Sequence, residues 1–212
     1  MSEAQRAAVW FIDGAWIAWA VTWVVLARRV KPVVRQESVA SRVLHLAPLA
    51  AGALLLFGGR LTGAALSAPV LPRAPWMVFA GAALVALGLA FTVWARLVLA
   101  GNWSGTVTVK KAHELVRRGP YAMARHPIYT GLLAALAGTA VAIDAWRGWL
   151  ACAIILLSFL RKLRTEEAFM RAEFGPAYDD YARDTPALIP LLKVRDAAKP
   201  GDAPPPLRDA PP

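Results

Sequence analysis

The sequence predicts an all-α integral membrane protein of about five transmembrane helices, followed by a C-terminal cytosolic helical segment. Three observations lead there. Apolar residues make up 58% of the 212-residue chain and its mean hydropathy is +0.45, whereas soluble domains hold roughly 45–50% apolar residues. Nine tryptophans suit the interfacial belts of a bilayer. The 24 lysines and arginines, which give a net charge of +10, lie mostly in the gaps between apolar runs, where a membrane protein carries them. That distribution argues against nucleic acid as a partner, which calls for a basic face or stripe.

A crossing needs ~17–25 mostly apolar residues. Residues 7–27 qualify, with Trp10, Trp16, Trp19 and Trp23 among them. The run is too long for a signal-peptide core, and its basic cluster follows it instead of preceding it. Residues 43–59 make a second, shorter candidate. Residues 75–95 make a third, opened by Pro75, whose missing N–H does no harm at a helix start. Residues 128–143 and 146–160, parted only by Asp144-Ala145, read as a tight helical hairpin. The alternation of Thr106, Val107, Thr108 and Val109 suits a short extended piece. Residues 1–198 thus form one membrane domain, and the tail 199–212, KPGDAPPPLRDAPP, has the composition of a disordered segment. The single Cys152 excludes an internal disulfide framework.

Charge gives the direction. Arg28, Arg29, Lys31, Arg35 and Arg42 follow the first span, and Lys110, Lys111, Arg117, Arg118 and Arg125 follow the third. Arg161, Lys162, Arg164 and Arg171 follow the fifth, against Arg6, Arg60, Arg73 and Arg147 on the opposite side. The positive-inside rule places the N-terminus outside, and the 97–127 loop and the C-terminal segment in the cytoplasm. The Ala-, Arg- and Pro-rich composition suggests a bacterial inner membrane.

The two richest polar segments, 102–127 and 161–186, fall on that cytoplasmic face. An antiparallel hairpin returns the end of the fifth span to the start of the fourth, so Arg125, His126 and Tyr129 come within reach of Glu166 and Glu167. Gly119-Pro120 is a turn signal, and Pro127 suits the first turn of a helix whose N-cap region holds His126. The N-terminal amides there would favour an anion. Plainer readings stand beside these: Arg125 snorkelling to the headgroups, Tyr129 in an aromatic belt, and Glu167 paired with Arg171 one turn on. The helix carrying the glutamates is set to continue to Phe174 and stop at Gly175-Pro176. Tyr178 and Tyr181, three apart, either cover a site or lie along the membrane surface. His45 and His113 are isolated, and no zinc signature, phosphate loop or nucleophile motif is present, so no metal site is expected.

The stretch GPYAMARHPIYTG, followed some 35 residues later by EEAFMRAEFGPAYDDY, resembles the isoprenylcysteine carboxyl methyltransferase family, within a wider group that includes phospholipid methyltransferases. The likeness covers residues 102–190 and extends to the C-terminal region of membrane sterol reductases. It implies S-adenosylmethionine as cofactor, bound on the cytosolic side between the last two spans and the C-terminal helix. By position, Gly119, Pro120 and Tyr121 would shape the rim, and His126, Pro127, Tyr129, Glu166 and Glu167 would contact the cofactor. Arg125, with Glu167, would orient the reactants, and Tyr178 and Tyr181 would help close the site. The implied acceptor is hydrophobic or lipidic, a carboxylate or an amine, entering from the bilayer. An NADPH-dependent membrane reductase and a non-catalytic membrane subunit are the other readings.

Overall fold

Where the chain is apolar it is helical. The computed structural model describes residues 2–27, 33–36, 39–71, 74–100, 103, 108–110 and 114–189. In order, its elements are α1 (Glu3–Ala27), β1 (Val33–Gln36), α2 (Val39–Phe57), a 3-10 turn (Gly59–Leu61) and α3 (Gly63–Ser67). There follow α4 (Trp76–Leu99), β2 (Thr108–Lys110), α5 (Pro120–Met123), α6 (Pro127–Ile143), α7 (Trp146–Phe174) and α8 (Pro176–Asp184). The tail 199–212 and His113 lie outside the described residues.

Two of the five expected spans stand out clearly. Helices α1 and α4 are long and apolar enough to cross a membrane, while Val43–Phe57 and α6 are apolar but shorter. The 17 residues of α6 reach only about 25 Å at 1.5 Å each, short of a ~30 Å hydrocarbon core. Helix α7 is one 29-residue rod, apolar from Trp149 to Leu160 and charged from Arg161 onward. The fold is not purely helical either, because β1 and β2 pair antiparallel, with Val33 opposite Lys110 and Gln36 opposite Thr108. The extended piece expected at 106–109 is found at Thr108–Lys110, and its partner strand comes from the loop after α1.

Helices α4 and α6 pack through glycines seven residues apart on each. A Cβ on Gly88 would lie 2.5 Å from the Gly131 carbonyl oxygen, and one on Gly81 would lie 2.5 Å from that of Gly138. Without side chains the two backbones approach closely, as small residues allow between membrane helices. The pairing of Gly81 with Gly138 and Gly88 with Gly131 makes the helices antiparallel. Helix α1 runs parallel to α4. Its Ala8 and Ile12 pack with Val78, Ala82 and Val85, and its Leu26 carbonyl accepts from Arg96 Nη2 at 2.6 Å.

The tryptophans divide. Trp10 is exposed, but the Trp16 and Trp19 indoles turn inward and donate to Thr139 Oγ1 at 3.0 Å and Thr92 Oγ1 at 2.7 Å. These two are tethers between helices and not belt residues. The outer surface carries exposed Phe11, Ile17, Val21, Val24, Leu87 and Leu157, an apolar periphery suited to lipid. Helices α2 and α7 are antiparallel, with His45 against Ser158 at one end and Arg147 donating to the Leu55 carbonyl at 2.8 Å at the other. The expected corner between α6 and α7 is held by Asp144, left-handed at φ 40°, whose Oδ1 accepts from the amides of Val70 and Leu71.

Candidate active site

The hairpin of α6 and α7 brings its polar ends together as topology requires. Pro127 begins α6, and a helix start leaves backbone N–H groups without intrahelical partners. Two amides at that junction are already satisfied: Arg125 N donates to the Pro186 carbonyl at 2.9 Å and His126 N to that of Ala187 at 3.0 Å. Thr130 Oγ1 adds a bond to the Leu188 carbonyl at 2.5 Å. The strap following α8 therefore lies across the start of α6, in the place where the sequence suggests an anion.

Arg125 and Glu167 are buried together. Both Nε and Nη2 of Arg125 donate to Glu167 Oε1, at 2.9 and 2.7 Å, and Nη1 donates to the carbonyls of Ala182 and Thr185 at 2.8 and 2.6 Å. The guanidinium thus joins three elements instead of snorkelling. Glu167 Oε1 also meets His126 Nε2 at 3.3 Å, and its Oε2 takes Arg171 Nη2 at 3.5 Å, the expected one-turn pair. Burial favours the neutral acid, but hydrogen bonds from His126 and Arg125 prevail and hold the Glu167 carboxyl down at about 2. For His126, burial likewise opposes charge, and hydrogen bonds to Glu166 and Glu167 overcome it and raise the imidazole above its ordinary value.

Glu166 is the more open of the two glutamates, its side chain 24% exposed. It accepts from Tyr129 Oη at 2.6 Å through Oε1 and faces His126 Nδ1 at 3.3 Å through Oε2. An ionised carboxylate offers about four acceptor positions, so Glu166 keeps capacity for a further donor. The Tyr129 ring stacks with both His126 and Phe159, with ring centroids 5.7 and 4.6 Å away.

Gly119, Pro120 and Tyr121 form a packed corner. Gly119 has φ 60°, a conformation that favours glycine, and a Cβ there would press on Val98 at 3.3 Å. Pro120 is fully buried, and the Tyr121 carbonyl accepts from Tyr181 Oη at 2.6 Å. Tyr178 and Tyr181 are buried, their rings edge to face at 6.0 Å, so they do not lie along a membrane surface. Burial pushes the Tyr181 phenol up to about 12. The cations of Arg117 and Arg171 sit over Tyr181 and Tyr178 at 5.4 and 5.6 Å.

Beside this cluster lies a cavity of ≈430 Å³ that sequence reasoning missed. Its wall is apolar, built from Leu49, Leu132, Leu136, Ile155 and Phe159 with Trp16, Trp19, Trp23 and Trp103. Tyr129, His45 and Lys162 supply its polar groups. One signal was available: Trp16, Trp19 and Trp23 recur at helical spacing and so share a face of α1. Nothing local marks His45 or Lys162, which arrive from α2 and α7.

The fold and cluster define a helical membrane protein with a buried carboxylate–imidazole–guanidinium network at one end and an apolar cavity beside it. Residues 76–177 match the family model described as phospholipid methyltransferase. The protein-S-isoprenylcysteine O-methyltransferase of Schizosaccharomyces pombe is 35% identical over 83 residues, 39% of this chain and 35% of the relative. The cobalt-zinc-cadmium resistance protein CzcN of Cupriavidus metallidurans is 32% identical over 122 residues, 57% of this chain and 52% of the relative. A solved structure of a eukaryotic intramembrane Ras methyltransferase, an isoprenylcysteine carboxyl methyltransferase, aligns with TM-score 0.48 and 23% identity, covering 74% of this chain and 55% of that one. Over this region the chain is similar to phospholipid methyltransferases and to protein-S-isoprenylcysteine O-methyltransferases. These matches to the curated relatives span from about a third to about half of their length.

Proposed function

We propose that this chain is a membrane-embedded, S-adenosylmethionine-dependent methyltransferase acting on a hydrophobic or lipidic acceptor, a carboxylate or an amine. The observation that carries the reading is the junction at Tyr129, which walls the apolar cavity and also donates to Glu166 in the polar cluster. A lipid tail in that cavity and a water-soluble cofactor at Glu166 would meet across one side chain.

The residues suit the cationic part of such a cofactor. Glu166 has the acceptor capacity and the partial exposure to hold an ammonium or ribose hydroxyl, oriented by Tyr129 and His126. Arg125 and Glu167, expected as the catalytic residues that orient the reactants, fit a positioning role through the wall they hold, since their polar atoms are engaged within the protein. The Gly119–Tyr121 corner, Tyr178 and Tyr181 would support this wall from behind. The cofactor, when bound, supplies an electrophilic methyl group on a sulfonium. Methyl transfer is an in-line displacement, so the chain's part is to align the acceptor and exclude water, and no acid–base triad is required.

In this reading α1, α2, α4, α6 and α7 all cross a bacterial inner membrane, the shorter ones by tilting or by thinning the bilayer. The N-terminus is outside and the site cytoplasmic, in line with the basic residues. The decisive measurement is thermal stability of the detergent-extracted protein with S-adenosylmethionine or NADPH, since a ligand selective for the folded state must raise it. A rise with S-adenosylmethionine alone, and label passing from it to extractable lipid, supports the proposal. A rise with NADPH alone, or with neither, removes it.

A further inference from the structure

We propose that His126 couples cofactor binding to the release of a proton: a cation arriving at Glu166 expels the proton held on His126 Nδ1. The inference rests on the methyltransferase reading for the identity of that cation, a positive group of S-adenosylmethionine, and gives the same site a pH dependence.

Both edges of one ring carry the inference. His126 Nδ1 faces Glu166 Oε2 and Nε2 faces Glu167 Oε1, each at 3.3 Å, with the His126 side chain 9% exposed. A neutral imidazole has one N–H and one lone pair, and would set that lone pair against a carboxylate oxygen. Only the imidazolium, a donor at both nitrogens, satisfies both glutamates. Burial opposes its charge, and the bonds to Glu166 and Glu167 outweigh burial. In the free protein the ring is therefore a cation.

The two glutamates hold it unequally. Glu167 already receives Arg125 through Oε1 and Arg171 through Oε2, and Arg171 also meets Asp179 of α8 at 3.3 Å. Glu166 has the neutral Tyr129 phenol at 2.6 Å, and among the described residues His126 is the cation that balances it. Burial keeps the nearby phenols of Tyr121 and Tyr178 neutral. Arg125, His126 and Arg171 thus stand against Glu166, Glu167 and Asp179, with Lys162 one turn before Glu166 as a further positive group on the cavity side. Another cation on Glu166 tips this set toward excess positive charge, and like charges in a buried site repel strongly. Histidine is the member whose charge ordinarily changes in the neutral range. Glu167, fixed by two guanidiniums, keeps Nε2–H, whereas Glu166 lies at the more exposed edge, so the Nδ1 proton passes to water. The freed Nδ1 lone pair then accepts from the cofactor's ammonium.

Calorimetric titration of the detergent-extracted full chain with S-adenosylmethionine at pH 6.5, in phosphate and in Bis-Tris, reads the proton, because the two buffers take it up with different heats. The cofactor's own ammonium, with an ordinary value of about 7.7–8.0, stays charged there. About half a proton or more should leave per cofactor bound, and affinity should rise about three- to tenfold from pH 6 to pH 7. The chain has three histidines, so nitrogen-15 ring spectra identify His126 by the signals lost in His126→Gln. Both of its nitrogens should carry protons in the free protein, and Nε2 alone in the complex. In His126→Gln the buffer difference and the rise of affinity with pH should both vanish. Binding with equal heats in the two buffers overturns the proposal on the unaltered protein. So does a His126 ring that stays doubly protonated in the complex, or one that is neutral before it forms. Those results leave the methyltransferase reading standing, whereas absence of any S-adenosylmethionine binding removes that reading and this proposal with it.

Discussion

Tyr129 and Glu166, 37 residues apart, meet at 2.6 Å with the phenol donating to the carboxylate, while the same phenol ring stacks on Phe159 at the cavity wall. One side chain therefore belongs to both the polar and the apolar halves of the site. In Tyr129→Phe the ring and its stacking remain and the hydrogen bond is lost. Stability should fall by about 1 kcal/mol, the usual net worth of such a bond. Binding of S-adenosylmethionine should weaken while myristyl alcohol still quenches the tryptophans. Equal loss of both ligands would count against the division of labour at Tyr129.

Removing Arg125 should be far more damaging. Its guanidinium ties Glu167 to the carbonyls of Ala182 and Thr185, and both charged side chains are under a tenth exposed. Arg125→Ala leaves a buried carboxylate without its main partner, at a cost of about 3–5 kcal/mol. Arg125→Lys keeps a charge but lacks the planar fork, and should recover only part of this. Chemical or thermal unfolding in detergent measures both. The strap at 185–189 should also become protease-sensitive, since Arg125 pins it.

Stability should fall off on both sides of mildly acid pH. Glu167 is held at about 2 against an ordinary 4.5, so its contribution is present above 4.5 and is lost as pH falls from there toward 2. His126 is raised above its ordinary 6.5, so its contribution is complete below 6.5 and is lost as pH climbs through the raised value. Melting temperatures across pH should show both limbs. Glu167→Gln should flatten the acid limb, and His126→Gln the upper one.

The glycine contacts between α4 and α6 tolerate no side chain. Gly88→Ala places a Cβ 2.5 Å from a backbone oxygen that cannot step aside, so destabilisation should reach or exceed the ~1–3 kcal/mol typical of overpacking. Gly14→Ala in α1 meets nothing within 4 Å and should be neutral or slightly stabilising, by up to about 1 kcal/mol. If the two substitutions melt alike, the close approach of α4 and α6 is wrong.

The sequence by itself determined the helices, because apolar runs, Pro75, Pro127 and Gly175-Pro176 act through local backbone chemistry and need no partner. It also determined that Arg125, His126 and Tyr129 meet Glu166 and Glu167, because a two-residue corner at Asp144-Ala145 leaves an antiparallel hairpin only one way to fold. The tertiary structure decided what each of those groups is bonded to. That Arg125 is spent on Glu167 and on the strap carbonyls, and that two amides at the start of α6 are already taken, depends on residues some 60 positions away. The same holds for the cavity, whose wall comes from α1, α2, α6 and α7 together, and for the pairing of β1 with β2. Periodicity records which face of a helix is apolar. Whether that face meets lipid, another helix or an open cavity is settled only when distant segments pack.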